Sequence, residues 1–426
     1  MLGKIVSAFV VVIVALVVGQ DYDKIKELRA SLSSEIQLGI DLGTTQSVAA
    51  VCVQGNVSVV KVDGNYLTPS TVWFSSSDSK RTLVGNEAVA KRSSDPDNVV
   101  YAAKRVIGLE YDDPKKSLML DGLPFDDVQH GRDVGFSLGN ERVVTPEQVA
   151  TLIVKKLKRA SETSSRLDWF RRLMGFRFAS LTVSIPVTFQ EEQRSATVRA
   201  CRKAGFKQVR LIEEPVAAAL AYGLGSGSGA KRVLVYDIGG GTLDVALLYF
   251  NQHTGTFYVD TTAGEAKLGG EDFDVIVAKL VLSKIKDPVN RAAVETSHQA
   301  WQQLLVASER AKRELSDAQQ VTVCVPDVAT THDPCKHRVN ISRAEFVQAG
   351  KPTFDLALNA VETLLKDANL DRDTELDVVL VGGTSRVPEI RERISNYLPK
   401  STLHFEGVDP DQAVAVGAAR SWGCNQ

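Results

Sequence analysis

From about Ile36 the chain alternates short β-rich runs with longer stretches of helical spacing, the signature of an α/β protein built from packed layers. Thr145 followed by Pro146 marks the start of one long helix, over "TPEQVATLIVKKLKRA". Upstream, Tyr22, Ile25, Leu28 and Leu32 recur at near-helical spacing and predict a short lead-in helix over 20–35. The stretch from Gly223 to Arg232, "GLGSGSGAKR", reads as a linker, and a buried-strand pattern follows it at once. We place the boundary between two lobes there: 36–227 for the first and 228–408 for the second, with 409–426 returning to the first.

A weak internal repeat falls on that division. "LGIDLGTTQSVAAV" (38–51) and "VLVYDIGGGTLDVALL" (233–248) each read as an apolar strand ending in an acid, a Gly/Thr-rich turn, and a second strand, so that Asp41 corresponds to Asp237. Composition then limits the function classes. At roughly 150 residues per domain, 426 residues hold two or three units. Lys+Arg 50 against Asp+Glu 52 leaves a formal charge of -2 with no sustained basic run, which argues against nucleic acid as a partner. A hydrophobic fraction of 44% and a charged fraction of 24% argue against disorder and against a polytopic membrane protein.

Lys4 precedes an uncharged, apolar run from Ile5 to Val18 that ends at Gly19, and 1–19 therefore reads as a secretory signal peptide. The run is shorter than the roughly 20 residues of a spanning helix; an uncleaved signal anchor is the alternative. The expected location is the endoplasmic reticulum lumen or, alternatively, outside the cell, with no membrane contact beyond this segment. Five cysteines, Cys52, Cys201, Cys324, Cys335 and Cys424, then meet an oxidising compartment, and none has metal-ligand spacing. Cys324 and Cys335 flank a turn-rich stretch, where a bridge and two free thiols are both compatible with the pattern. Asn56 and Asn340 head glycosylation sequons; Ser342 with Glu345 reads equally well as a capping box.

Glycines in a tight turn permit positive φ and leave amides uncovered to point at phosphate oxygens, which suits Gly43, Gly239, Gly240 and Gly241. Thr44, Thr45 and Thr242 add hydroxyl donors, and Asp41 and Asp237 can hold magnesium through its retained waters. Glu309, Lys312 and Arg313 lie at i, i+3 and i+4 of a helix and leave one face together. Gly382 and Gly383 at a strand end let a flat nucleoside approach the backbone. Lys104 and Glu214 are individually unremarkable.

"GIDLGTTQS", "IEEPVAAALAYGL", "YDIGGGTLDV", "KLGGEDFD", "SERAKRELS", "VLVGGTSRVPEI" and "DPDQAVAVGAA" stand in the order and context of the heat shock protein 70 family, and the chain resembles its nucleotide-binding region from about Ile36 to Ala419. The resemblance implies an actin-like ATPase fold whose two lobes, each on a ribonuclease-H-like sheet, hold ATP or ADP with magnesium. It makes Asp41, Gly43, Thr44 and Thr45 the first phosphate turn and Asp237 to Thr242 the second. Lys104 matches the lysine that positions water at the terminal phosphate, with Glu214, Asp237 and Asp244 organising water and metal. Glu309, Lys312, Arg313 and Ser316 match the surroundings of adenine and ribose; Gly382, Gly383, Thr384 and Arg386 close the nucleoside pocket, and Asp411 is the final nucleotide contact. Gly264, Gly269 and Gly270 match a phosphate-facing loop. Arg210 aligns with a co-chaperone contact, so a J-type protein or a nucleotide-exchange factor is an implied partner. Val216 departs from the family's usual threonine, which opens a second expectation: a nucleotide-dependent scaffold with vestigial hydrolysis. A sugar or acetate kinase on the same fold is less favoured, because no substrate-recognition insertion is evident. The chain is also expected to act without its own peptide-client site, since only a few residues follow the last motif.

Overall fold

The computed structural model describes residues 36–92, 94–120, 123, 126–139, 141–164, 178–225, 232–325, 335 and 337–421. The expected signal peptide and lead-in helix lie outside the described residues, as does Cys424. The chain divides into two compact units, Met1–Ala221 with Val414–Gln426, and Tyr222–Ala413. It leaves the first just ahead of the Gly/Ser-rich stretch.

Unit 1 is organised on one mixed sheet. Its main strands are β1 (Ile36–Leu42), β2 (Gln46–Val53), β3 (Asn56–Val59), β4 (Ser180–Ile185) and β5 (Gln208–Glu213), in the order β5-β4-β1-β2-β3, and the two-residue strand Thr68–Pro69 pairs with β2 off this path. β1, β2 and β3 are antiparallel neighbours, whereas β4 runs parallel to both β1 and β5. Apolar side chains bury one face of its middle: Ile40, Val51, Leu181 and Val183, in register on the same side, are fully enclosed. Helix α1 (Pro146–Thr163) packs on β1 and β2, α2 (Glu191–Lys203) on α1 and β5, and α3 (Glu214–Ala221) on β4 and β5. The start of α1 is the one its sequence predicts. Thr145 accepts the Gln148 amide at 3.2 Å, Gln148 accepts the Thr145 amide at 3.0 Å, and Pro146 occupies the first helical position where no donor is needed. The closing helix Ala413–Arg420 lies so near β1 that a Cβ on Gly39 would stand 2.2 Å from the Ala419 amide.

Unit 2 repeats the topology. β6 (Arg232–Ile238), β7 (Leu243–Asn251) and β8 (Thr256–Glu265) form the antiparallel half of a five-stranded sheet; the hairpin β9 (Gln320–Val325) and β10 (His337–Ser342) stands apart from it. β11 (Asp377–Val381) is parallel to both β6 and β12 (Thr402–His404), which gives the order β8-β7-β6-β11-β12. The five-strand paths of the two sheets thus match in order and direction. In unit 1 Leu42 pairs with Ser47 across the first turn, and in unit 2 Ile238 pairs with Leu243 across the second. Helices α4 (Gly270–Ser283) and α6 (His298–Leu315) pack together, with α5 (Pro288–Thr296) beside α6, while α7 (Arg343–Asp367) crosses β7 and β8 and touches α8 (Pro388–Tyr397). Phe273 of α4 stacks among Phe346 and Phe354 of α7 at centroid distances of 6.0 and 4.7 Å, and all three are buried. The Ser342–Glu345 capping box is formed and starts α7.

Cys324 and Cys335 are joined by a disulfide at the loop end of the β9–β10 hairpin, which settles the pairing that the sequence left open. Cys52 is also disulfide-bonded, and the buried Cys201 thiol, which burial pushes up to about 12, is free. Among the described residues no helix is long and apolar enough to cross a membrane.

Candidate functional site

In unit 1 the parallel neighbour of β1 supplies what β1 alone cannot. Ser184 of β4 donates its hydroxyl to Asp41 at 2.6 Å, fixing the carboxylate at the carboxyl end of β1. Burial pushes the Asp41 carboxyl up to about 6; the charge of Lys104 opposes this, Glu214 adds to it, and the Ser184 hydrogen bond opposes it. Lys104 sits in a short 3₁₀ turn, Ala103–Val106, entered through Ala102 at φ 53. A left-handed alanine is a strained conformation, and such residues concentrate at functional sites. Lys104 donates to Glu214, the first residue of α3, at 2.5 Å, with side-chain exposures of 9% and 19%. Leu42, Gly43, Ser70, Lys104 and Ser184 line a cavity beside this pair.

The first turn is braced by Ser70, which donates to the Gly43 carbonyl at 2.7 Å, shares a hydrogen bond with Ser47 at 2.8 Å, and passes its own amide to the Thr45 carbonyl. No backbone acceptor among the described residues receives the amides of Thr44 and Thr45. The same holds in unit 2 for Gly240 and Gly241. One part of the sequence reading is corrected here: none of Gly43, Gly239, Gly240 and Gly241 takes a positive φ. Gly43 is required by crowding, because a Cβ there would stand 2.1 Å from the Gln46 carbonyl oxygen.

In unit 2, Asp237 and Asp244 lie directly opposite each other on β6 and β7, and Asp237 also lies against Gly382, whose φ is 79. Both carboxylates thus leave the same face of the paired strands. Asp237 and Asp244 in unit 2, and separately Asp41 in unit 1, offer hard carboxylate oxygens of the kind magnesium favours, few in number and beside retained water. Gly269 and Gly270 open α4 against the second turn: the Gly270 amide donates to Gly239 at 3.0 Å and the Glu271 amide to Gly240 at 2.8 Å. Gly264, expected in that same loop, lies instead within β8, opposite Asp244.

The charged group on α6 is rearranged relative to its sequence reading. Glu309 and Arg313 are exposed and face each other at 3.6 Å, whereas Lys312 turns inward at 7% exposure. Ser316 caps the helix end and is half-buried. Thr384 donates its hydroxyl to the Gly239 carbonyl at 2.8 Å, so it braces the second turn. Arg386 is held by Asp409 at 2.6 Å and Asp411 at 3.7 Å, and Gly383 admits the Asp411 carboxylate, which a Cβ would meet at 2.8 Å. Burial raises the Asp411 carboxyl. Sequence reasoning missed Ser70, Ser184 and Asp274; only Asp274 had a local signal, as the last acid of "KLGGEDFD".

The family model "Hsp70 protein" matches residues 37–424. The chain belongs to the Hsp70 family. It is 35% identical to "Heat shock 70 kDa protein" of Neurospora crassa over 90% of this chain and 57% of that protein. It is 33% identical to "Heat shock 70 kDa protein 2" of Paracoccidioides lutzii over 90% and 56%, respectively. With a ribosome-associated molecular chaperone of Zygosaccharomyces rouxii it shares 34% identity over 90% and 60%. The chain thus spans less than two thirds of the length of the curated relatives it matches. Its fold is the actin-like ATPase fold of that family, whose members bind ATP and hydrolyse it.

Proposed function

We propose that this Hsp70-family chain binds ATP or ADP with magnesium and slowly hydrolyses ATP, acting in the secretory pathway to assist or regulate protein folding. The observation that carries the reading is the duplicated strand–turn–strand. Two sheets of one topology each carry an aspartate near the end of their first strand, and each follows it with a turn in which two successive amides have no backbone acceptor among the described residues. Bare amides in a turn are an anion seat, and the adjacent carboxylate is a magnesium seat.

In this reading Asp41, Gly43, Thr44 and Thr45, and Asp237 with Gly239 to Thr242, receive the phosphates and their cation. Glu309, Lys312, Arg313, Ser316, Gly382, Gly383, Arg386 and Asp411 receive the nucleoside. Bound magnesium would supply charge neutralisation at the terminal phosphates. Lys104, oriented by Glu214 at 2.5 Å, would hold the attacking water by a charged donor, so that water and ATP give ADP and phosphate without a covalent intermediate. Secretory placement is supported by the Ile5–Val18 run and by the Cys324–Cys335 disulfide, since such bonds persist in oxidising compartments. Arg210, exposed on β5, supports docking of a J-type partner; an exchange factor is the other partner expected.

A second reading, nucleotide-dependent scaffolding with vestigial hydrolysis, is favoured by Val216, an apolar residue half-buried two positions after Glu214. Phosphate release from ATP and magnesium, with no sugar, acetate or peptide added, separates the two. Steady release supports the ATPase; tight binding without release leaves the scaffold.

A further inference from the structure

Lys312 is the one residue of the α6 charged group that the protein encloses, and a buried ammonium requires partners. It has an ion pair to Asp274 Oδ1 of α4 at 2.8 Å and donates to the Gly270 carbonyl, also at 2.8 Å. Gly270 in turn donates its amide to Gly239, whose carbonyl also receives the Thr384 hydroxyl. One line of contacts therefore runs from Asp274 through Lys312 and Gly270 to the second phosphate turn. A Cβ on Gly270 would stand 2.7 Å from Thr384 Oγ1 and 3.0 Å from Lys312 Nζ, so this packing leaves no slack.

We propose that Asp274 is a positioning residue for nucleotide binding: its carboxylate holds Lys312 on the Gly270 carbonyl and thereby fixes the ammonium and the start of α4 against the Gly239–Thr242 turn. The inference rests on the reading of Lys312 as a nucleotide contact. The energetics of the pair fit a functional use. Burial pushes the Asp274 carboxyl up to about 6; Lys312 opposes that push, while Glu309 on α6 and Glu271 on α4 add to it. A carboxyl raised in the folded state binds protons there that the unfolded chain releases, so this group lowers stability above its folded pKa and ceases to do so as the pH falls toward its unfolded value. The ionised pair is thus kept at neutral pH against stability, within the site.

The test compares ADP affinity, in the presence of magnesium, of the full chain and of its Lys312→Met variant, from about pH 5 to about pH 7.5, by calorimetry. The ratio of the two dissociation constants cancels titration of the ADP phosphates and of shared groups that do not contact Lys312, so its pH dependence reports the Asp274–Lys312 pair. The expected ratio is about tenfold at the upper pH, typical for losing a charged hydrogen-bond donor, and falls toward one at the lower pH, where protonated Asp274 releases the ammonium. Asp274→Asn, which keeps shape and removes charge, should weaken ADP binding at the upper pH and lose the pH dependence of its ratio to Lys312→Met. If that variant does not fold, the wild-type ratio decides alone. A ratio that is flat with pH, or one throughout, overturns the role of Asp274 while leaving nucleotide binding in place. Wild-type protein that binds no ADP overturns both.

Discussion

Gly239 and Gly269 face the same turn, and they are glycines for different physical reasons that two alanine substitutions separate. At Gly239 nothing in the protein requires glycine: φ is not positive, and an added Cβ would meet only the Thr242 carbonyl oxygen at 4.0 Å. At Gly269 a Cβ would stand 2.5 Å from the Gly240 carbonyl and the Gly241 amide nitrogen, both backbone. Real Cβ contacts hardly ever fall below 3.0 Å, so α4 and the turn must part by at least about 0.5 Å. Gly269→Ala should therefore cost about 1–3 kcal/mol of stability, the usual range for forced overpacking, and weaken ATP binding because the turn moves. Gly239→Ala should unfold within about 0.5 kcal/mol of wild type, as a strain-free substitution outside the packed core does. In the proposed reading, however, its methyl would stand where phosphate oxygens approach the turn amides, so ATP affinity should fall by about tenfold or more. The assay is urea unfolding without ligand, followed by ATP titration with magnesium on the same preparations. Gly239→Ala protein that is both as stable as wild type and equally tight for ATP would refute the reasoning, because the glycine would then serve no ligand.

Lys104→Ala should retain ATP binding while phosphate release falls by about two orders of magnitude, the usual effect of removing a preorganised charge; equal release would remove Lys104 from the catalytic role. Replacing both Cys324 and Cys335 by alanine opens a loop with a sequence separation of 11 and should lower stability by about 3 kcal/mol, read by chemical unfolding beside the reduced wild type. The Lys284 ammonium and the Ser342 cap hold the Glu345 carboxyl down at about 2. Its contribution is thus present above the ordinary carboxylate range and lost as the pH falls toward 2, so the acid unfolding of Glu345→Gln protein should lack that part of the wild-type loss.

The strand–turn–strand repeat was legible because its information is local: apolar runs, an acid at the strand end, then glycines, recurring once at Asp41 and once at Asp237. The helix starts at Pro146 and Arg343 were legible for the same reason, since a cap is a contact between residues three apart. Uncovered amides survive in the structure, but positive φ does not, and what demands glycine at 43 and 269 is the approach of other backbone. Periodicity also placed Lys312 beside Glu309 and Arg313 but could not say which of them turns inward. That depends on Asp274, which is brought there by packing of α4 on α6. Ser184 reaches Asp41 only because β4 is the parallel neighbour of β1, a pairing that no local pattern announces.

The central claim, that this chain is built to hold ATP with magnesium, is tested most directly by thermal or chemical unfolding of the full chain with and without the nucleotide and metal. ATP and magnesium at a hundredfold excess over the dissociation constant should stabilise the folded state by about 2.7 kcal/mol. An unfolding transition unmoved by ATP, ADP and magnesium would contradict the account.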